Sequence, residues 1–335
     1  MQKLRRHIFG VLQFIVAFAP MPGFGRADEQ MTKPTCHVPA YRLSAESVGP
    51  GHSTFAYPQT SPEMVFQARP SELMPMPKQS FQSQYHVAPE GLLYRSYAAG
   101  PNEPRNASVI CYDPSAKSWR WDATLGGRFG FLRKVDPELL PFDAWQIDFE
   151  GAAKTRMNPQ LQMDVESVDY RFGLLWTAKI ENVSYKFGYS HVSSHVGDEF
   201  LLKTSDNIRR NFVRDSIILG TSAQVTPELR LYREVAYGFS VKGGARPWQF
   251  QFGSEYAPLV SRPTSGGPFF AWNVQLREEV NYEAGITTMT GWQWKGPDSG
   301  RTLRVGLQYF NGPTNQFEFY QDYDNQLGIG VWFDY

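Results

Sequence analysis

From about residue 104 to the C-terminus the chain repeats one pattern, in which bulky apolar and polar side chains alternate over ten to fifteen residues between Pro, Gly, Asp and Asn clusters. Alternation with a period of two puts successive side chains on opposite faces of an extended strand. In 119–133, Trp121, Ala123, Leu125, Phe129 and Phe131 share one face against Asp122, Thr124 and Arg128. In 143–155, Trp145, Ile147 and Phe149 oppose Gln146, Asp148, Glu150 and Lys154, and in 166–178, Val168, Tyr170, Phe172, Leu174 and Trp176 oppose Asp169, Arg171 and Thr177. The pattern runs on through Val183/Tyr185/Phe187/Tyr189, Leu229/Leu231/Val235/Tyr237/Phe239, Trp248/Phe250/Phe252/Tyr256 and Phe270/Trp272/Val274/Leu276. It ends with Tyr282/Ile286/Trp292/Trp294, Leu303/Val305/Leu307/Tyr309 and Leu327/Ile329/Val331/Phe333/Tyr335. With 211–223 and a short segment at 105–113, about 12 strands are expected, ten and fourteen being the alternatives.

What surrounds such strands follows from composition. Aromatics make up 15% of the chain while mean hydropathy is −0.42, a combination expected when half of each strand faces lipid and half a polar lumen. No window of some twenty apolar residues is present, so a membrane-crossing helix is not expected. Residues 1–27 read as a secretory leader: Lys3, Arg5 and Arg6, an apolar stretch from Ile8 to Pro20, and a small-x-small cleavage site at Gly25-Arg26-Ala27. The fold expected is therefore all-β, a transmembrane antiparallel β-barrel over 104–335 with an irregular N-terminal extension over 28–103, in the outer membrane of a Gram-negative-type bacterium. An even strand count returns both ends to the periplasm, which makes 195–210 and 312–324 outer loops and Ile180-Glu181-Asn182 and 225–228 inner turns. The last strand closes on an aromatic, Tyr335, and so resembles the assembly signal of outer-membrane proteins, which implies the barrel assembly machinery as a partner. Outer-membrane lipids and lipopolysaccharide are the other expected partners.

Residues 28–103 show no sustained period and carry many Pro residues, so they are expected to be irregular, in the periplasm or tucked into the barrel as a plug. Cys36 and Cys111 are the only cysteines, and in an exported chain a disulfide and two free thiols both remain open. Net charge is zero with the signs interspersed, which speaks against nucleic acid. The charges Asp148, Glu150, Lys154, Arg171, Lys186, Arg230, Glu234 and Glu255 fall on the lumen face and are expected to pair across a narrow, filled interior.

One segment breaks the pattern. Continuing the outward register past Tyr189 puts His191, Ser193 and His195 on the lipid-facing side, and in 211–223 Asp215 falls on the same side. A His and a Ser two residues apart on one strand face, with a carboxylate to orient the imidazole, form a nucleophile, base and orienter set. This arrangement is similar to outer-membrane phospholipase A and to lipid A deacylases, barrels whose His-x-Ser pair faces lipid. The resemblance implies Ser193 as nucleophile, His191 as general base, Asp215 as orienter and a membrane-lipid ester as substrate. The phospholipase pattern has Asn-Gly after its Ser and an Asn as third member, whereas Ser194-His195 and an Asp stand here. The set Glu103-Pro104-Arg105, Gly126-Gly127-Arg128-Phe129-Gly130, Gln146 to Gly151, Asp169 to Leu174 and Ser193 to Glu199 resembles an uncharacterised bacterial family, domain of unknown function number twelve-oh-seven. That resemblance implies no activity.

The bland reading of 189–199 is a hydrated loop mouth, satisfied by water and lipid headgroups. No cofactor is expected, with one alternative: His195, Asp198 and Glu199 as ligands of a divalent cation. Function on the sequence alone is that of a barrel with a structural or narrow-channel role, the alternative being a lipid-facing serine hydrolase.

Overall fold

The computed structural model describes residues 84–135, 143–204, 209–259, 263–297 and 299–335. The leader, most of the extension and Cys36 lie outside the described residues. Strands β2 (Asn106–Asp113), β3 (Ser118–Val135), β4 (Ala144–Asn158), β5 (Asp164–Ile180), β6 (Val183–Val196) and β7 (Val213–Gln224) are followed by β8 (Leu229–Lys242), β9 (Trp248–Tyr256), β10 (Gly267–Arg277), β11 (Ala284–Lys295), β12 (Thr302–Pro313) and β13 (Tyr323–Asp334). Each pairs antiparallel with its sequence neighbour, and β13 pairs with β2, so the twelve strands close into a barrel. The expected strands are all present. A further strand, β1 (Gln84–Val87), lies within the extension and pairs with β3 over Leu132 to Val135.

Closure divides the side chains into two populations. Outward positions carry the apolar residues: Phe129, Phe172, Leu174, Phe187, Leu307 and Ile329 are all exposed. Such a band is tolerable where the surrounding solvent is lipid. Inward positions carry the charges, and they are paired: Arg128–Asp148 at 2.6 Å, Arg171–Glu150 at 2.8 Å, Lys186–Glu234 at 2.5 Å and Arg230–Glu255 at 3.0 Å. Lys154 instead donates to Asn102 Oδ1 at 3.2 Å. The low dielectric that makes a lone buried charge costly also strengthens each pair.

The lumen is filled from both ends. Residues 94–105 run inside the barrel, where Tyr94, Tyr97, Ala98, Ala99, Glu103 and Arg105 are buried. Tyr97 stacks on Tyr232 with ring centroids 4.0 Å apart and donates its hydroxyl to Glu234, while Lys186 Nζ sits 4.6 Å from the Tyr97 ring centre. The Glu103-Pro104-Arg105 motif folds back on this segment, Arg105 donating to the carbonyls of Tyr97 and Ala98 and Glu103 accepting from the Tyr97 N–H. From the other end the 314–322 connection dips inward and buries Thr314, Gln316, Phe317 and Glu318. Cys111 is a buried free thiol donating to Gln326 Oε1 at 3.5 Å.

Three expectations need correction. Connections on the rim that holds the termini run from two to ten residues and those on the opposite rim from four to sixteen, so the loop asymmetry is weaker than expected. Tyr282 lies in the turn before β11 at φ 61°, not on the strand. The alternation in β3 shifts at a bulge between Gly130 and Leu132, which leaves Phe131 without a partner on β4 and turns Arg133 inward toward Gln146.

The division of faces is testable at Leu174, an outward residue near the middle of β5 that is 42% exposed. Leu174→Arg is expected to lower folding stability in lipid vesicles by about 2–4 kcal/mol, read from denaturant unfolding. An unchanged midpoint would mean that this face does not meet hydrocarbon.

Candidate functional site

The site begins with register. Antiparallel pairing of β6 with β7 sets His191 directly opposite Asp215 and Ser193 opposite Val213, and the period of two turns His191, Ser193 and Asp215 to the outside. His191 Nδ1 lies 2.8 Å from Asp215 Oδ1. The Tyr189 hydroxyl donates to the same oxygen at 2.6 Å. Since the carboxylate accepts, the Nδ1 proton must lie between ring and acid, which leaves the Nε2 lone pair of the neutral imidazole unprotonated. His191 and Asp215 are partly exposed, 33% and 21% by side chain.

The backbone helps to aim Asp215. The β7–β8 ladder shifts between Asp215 and Ser216, so that Asp215 faces Ser240 while Ser216 faces Gly238. Bulges of this kind re-aim a side chain at the rim of a barrel. Ser240 thus stands directly across the ladder from Asp215. Aromatic rings wall the cluster: Tyr189 packs against Phe172 and Phe239, with centroids 6.5 and 6.3 Å apart.

Ser193 is half-buried on the same face as His191, and among the described residues its hydroxyl makes no hydrogen bond. Two-residue spacing puts both side chains on one side of β6. Its neighbour Ser194 points the other way and is engaged in the lumen, donating to Asp169 and accepting from the Glu318 N–H at 3.0 Å.

His195 continues the outward row and packs against Tyr170, centroids 6.0 Å apart. Asp198 and Glu199 open a short helix, α1 (Asp198–Thr204), and Asp198 pairs with Arg209 at 3.0 Å on the surface. Among the described residues no group of three His, Cys, Asp or Glu side chains converges as a metal site. The strand-to-helix change at Gly197 separates His195 from the two acids.

A lumen residue supports this corner of the wall. Glu318, fully buried, accepts the backbone N–H groups of Arg210 and Asn211 just before β7, and its own N–H holds Ser194 on β6. One residue of the inner plug therefore ties together both strands that carry the outer cluster. Nothing in the alternation pattern points to Glu318 or Tyr189 as partners. The family described as "Protein of unknown function (DUF1207)" matches residues 70–335. No curated protein matches the sequence. Among solved structures, outer membrane phospholipase A from Escherichia coli aligns with TM-score 0.46 and 12% identity, covering 69% of this chain and 94% of its own. The Salmonella typhi outer membrane phospholipase dimer with bound calcium aligns with TM-score 0.45 and 12% identity, covering 70% and 94%.

Glu318→Gln keeps the shape of the side chain and removes its charge. Bonds to a charged acceptor contribute about 1.5–3 kcal/mol, so amide exchange at Arg210 and Asn211 is expected to accelerate by at least about tenfold in hydrogen–deuterium exchange. Unchanged exchange would show that Glu318 does not hold this segment.

Proposed function

The chain belongs to the DUF1207 family, described as being of unknown function, and we propose that it is an outer-membrane serine hydrolase acting on acyl esters of membrane lipids. The observation that carries this reading is the His191–Asp215 pair, 2.8 Å apart on the outer wall of the barrel. Polar groups on such a wall cost free energy unless they serve a purpose or find partners, and here they form a base with its orienter beside a free hydroxyl.

In this reading Ser193 Oγ attacks the ester carbonyl of a lipid lying against β6 while His191 Nε2 takes its proton. Asp215 stabilises the imidazolium through Nδ1. The imidazolium then returns the proton to the departing lipid alcohol, leaving an acyl-serine. Water, deprotonated by the same nitrogen, attacks that ester, releases the fatty acid and restores Ser193. Tyr189 shares the charge on Asp215. Access from the bilayer explains why the cluster faces outward: the substrate need not leave the membrane.

The lumen supports no comparable case for conduction. Most of its charges are paired, and both 94–105 and 314–322 occupy it. A purely structural barrel remains as the outcome of a negative test. Purified protein in mixed micelles is expected to release fatty acid from phospholipid or lipid A. Ser193→Ala and His191→Ala are each expected to slow release at least about 100-fold with folding unchanged. Equal background release from all three proteins would remove the hydrolase and leave the structural role.

A further inference from the structure

A cavity of about 600 Å³ opens at the rim that holds the termini, between the inner segment 92–98 and the lower walls of β5 to β12. Its lining reaches Pro227 and Glu228 on one turn of that rim, Ala257 to Leu259 on another, and Gly296 and Pro297 on a third. The size suits a small-molecule or lipid-tail ligand.

Two features of the lining point to the class of ligand. Leu92, Leu93, Ala98 and Phe269 give it an apolar side. Arg95, Lys179 and Lys295 are exposed cations that line the same space, and among the described residues none of the three forms an ion pair. Arg95 has only a neutral side-chain partner, Gln224 Oε1 at 2.9 Å. Of the two acids in the lining, Glu255 is paired with Arg230 at 3.0 Å and Glu228 bonds only the neutral Thr226 hydroxyl at 2.9 Å, so five cations, Arg95, Lys179, Arg230, Lys295 and Arg304, face two carboxylates. This contrasts with the deeper lumen, where nearly every charge has its counter-charge. A small inorganic anion would leave the apolar side wet, and a neutral hydrocarbon would gain nothing from the positive rim.

We propose that this cavity binds an anionic amphiphile, a single acyl chain laid along Leu92 and Leu93 with its head group drawn to the positive rim that Arg95, Lys179 and Lys295 form around the mouth. The inference stands apart from the outer cluster, and neither depends on the other. Carboxylate and phosphate heads share this chemistry, so the probes are palmitate and hexadecyl phosphate, with hexadecanol and inorganic phosphate as controls. Full-length protein in a non-ionic detergent is titrated with each and the bound fraction read by native mass spectrometry.

Palmitate, hexadecyl phosphate or both are expected to bind in one-to-one stoichiometry, the stronger of them identifying the head group, with hexadecanol and inorganic phosphate at least tenfold weaker. The Arg95→Gln/Lys179→Gln/Lys295→Gln variant, altered only at exposed rim positions, is expected to lose binding at least tenfold. Leu93→Gln should weaken binding of the same probe while the rim cations stay. Binding of hexadecanol equal to that of the charged probes, or binding undiminished in the triple variant, would overturn the proposal, because amphiphile held on the outer wall is insensitive to these substitutions.

Discussion

Everything in this molecule depends on the last strand finding the first. Hydrocarbon offers no partner to a backbone N–H or C=O, and a sheet with a free edge is not viable there. The β13–β2 ladder, from Leu327 opposite Tyr112 to Phe333 opposite Asn106, removes that edge. β2 is only eight residues long while β3 has eighteen, so closure by the barrel strands alone would leave the end of β3 unpaired. The extension supplies what is missing: β1 pairs with Leu132 to Val135, and the Ala88 N–H donates to the Phe131 carbonyl at 2.9 Å.

Closing the cylinder creates an interior that has to be filled, and the filling sets what the barrel can do. Ion pairs such as Arg128–Asp148 and Arg156–Asp122 join neighbouring strands, Arg156 also reaches Asp324 on β13 three strands away, and the two inserted segments contribute rings and carbonyls between them. The same insertion reaches the wall, because Glu318 joins Ser194 to the residues before β7. Inside packing and the outer His191–Asp215 pair are consequently linked through one strand whose alternate residues face opposite ways.

The alternation made the twelve strands and the lumen charges readable before any coordinates, since period two depends only on neighbours along the chain. It could not show β1, whose Tyr85 and Val87 alternate with Gln84 and His86 over only four residues, nor the bulges at Gly130/Leu132 and Asp215/Ser216, which arise from pairing. The outward facing of His191, Ser193 and Asp215 followed from the same period. That Tyr189 also reaches Asp215, and that Ser240 stands across from it, depends on inter-strand register, which no local pattern encodes.

The seam itself is open to direct measurement. Ser108 and Val331 are paired across β2 and β13 on the outer face. In a chain with Cys36 and Cys111 replaced by Ser, Ser108→Cys with Val331→Cys is expected to oxidise within one molecule and to give a single monomeric band of altered mobility on denaturing gels. Each single cysteine should give no such band. Failure of the pair to crosslink, or crosslinks only between molecules, would mean that the sheet does not close and that the division into lipid face and lumen is wrong.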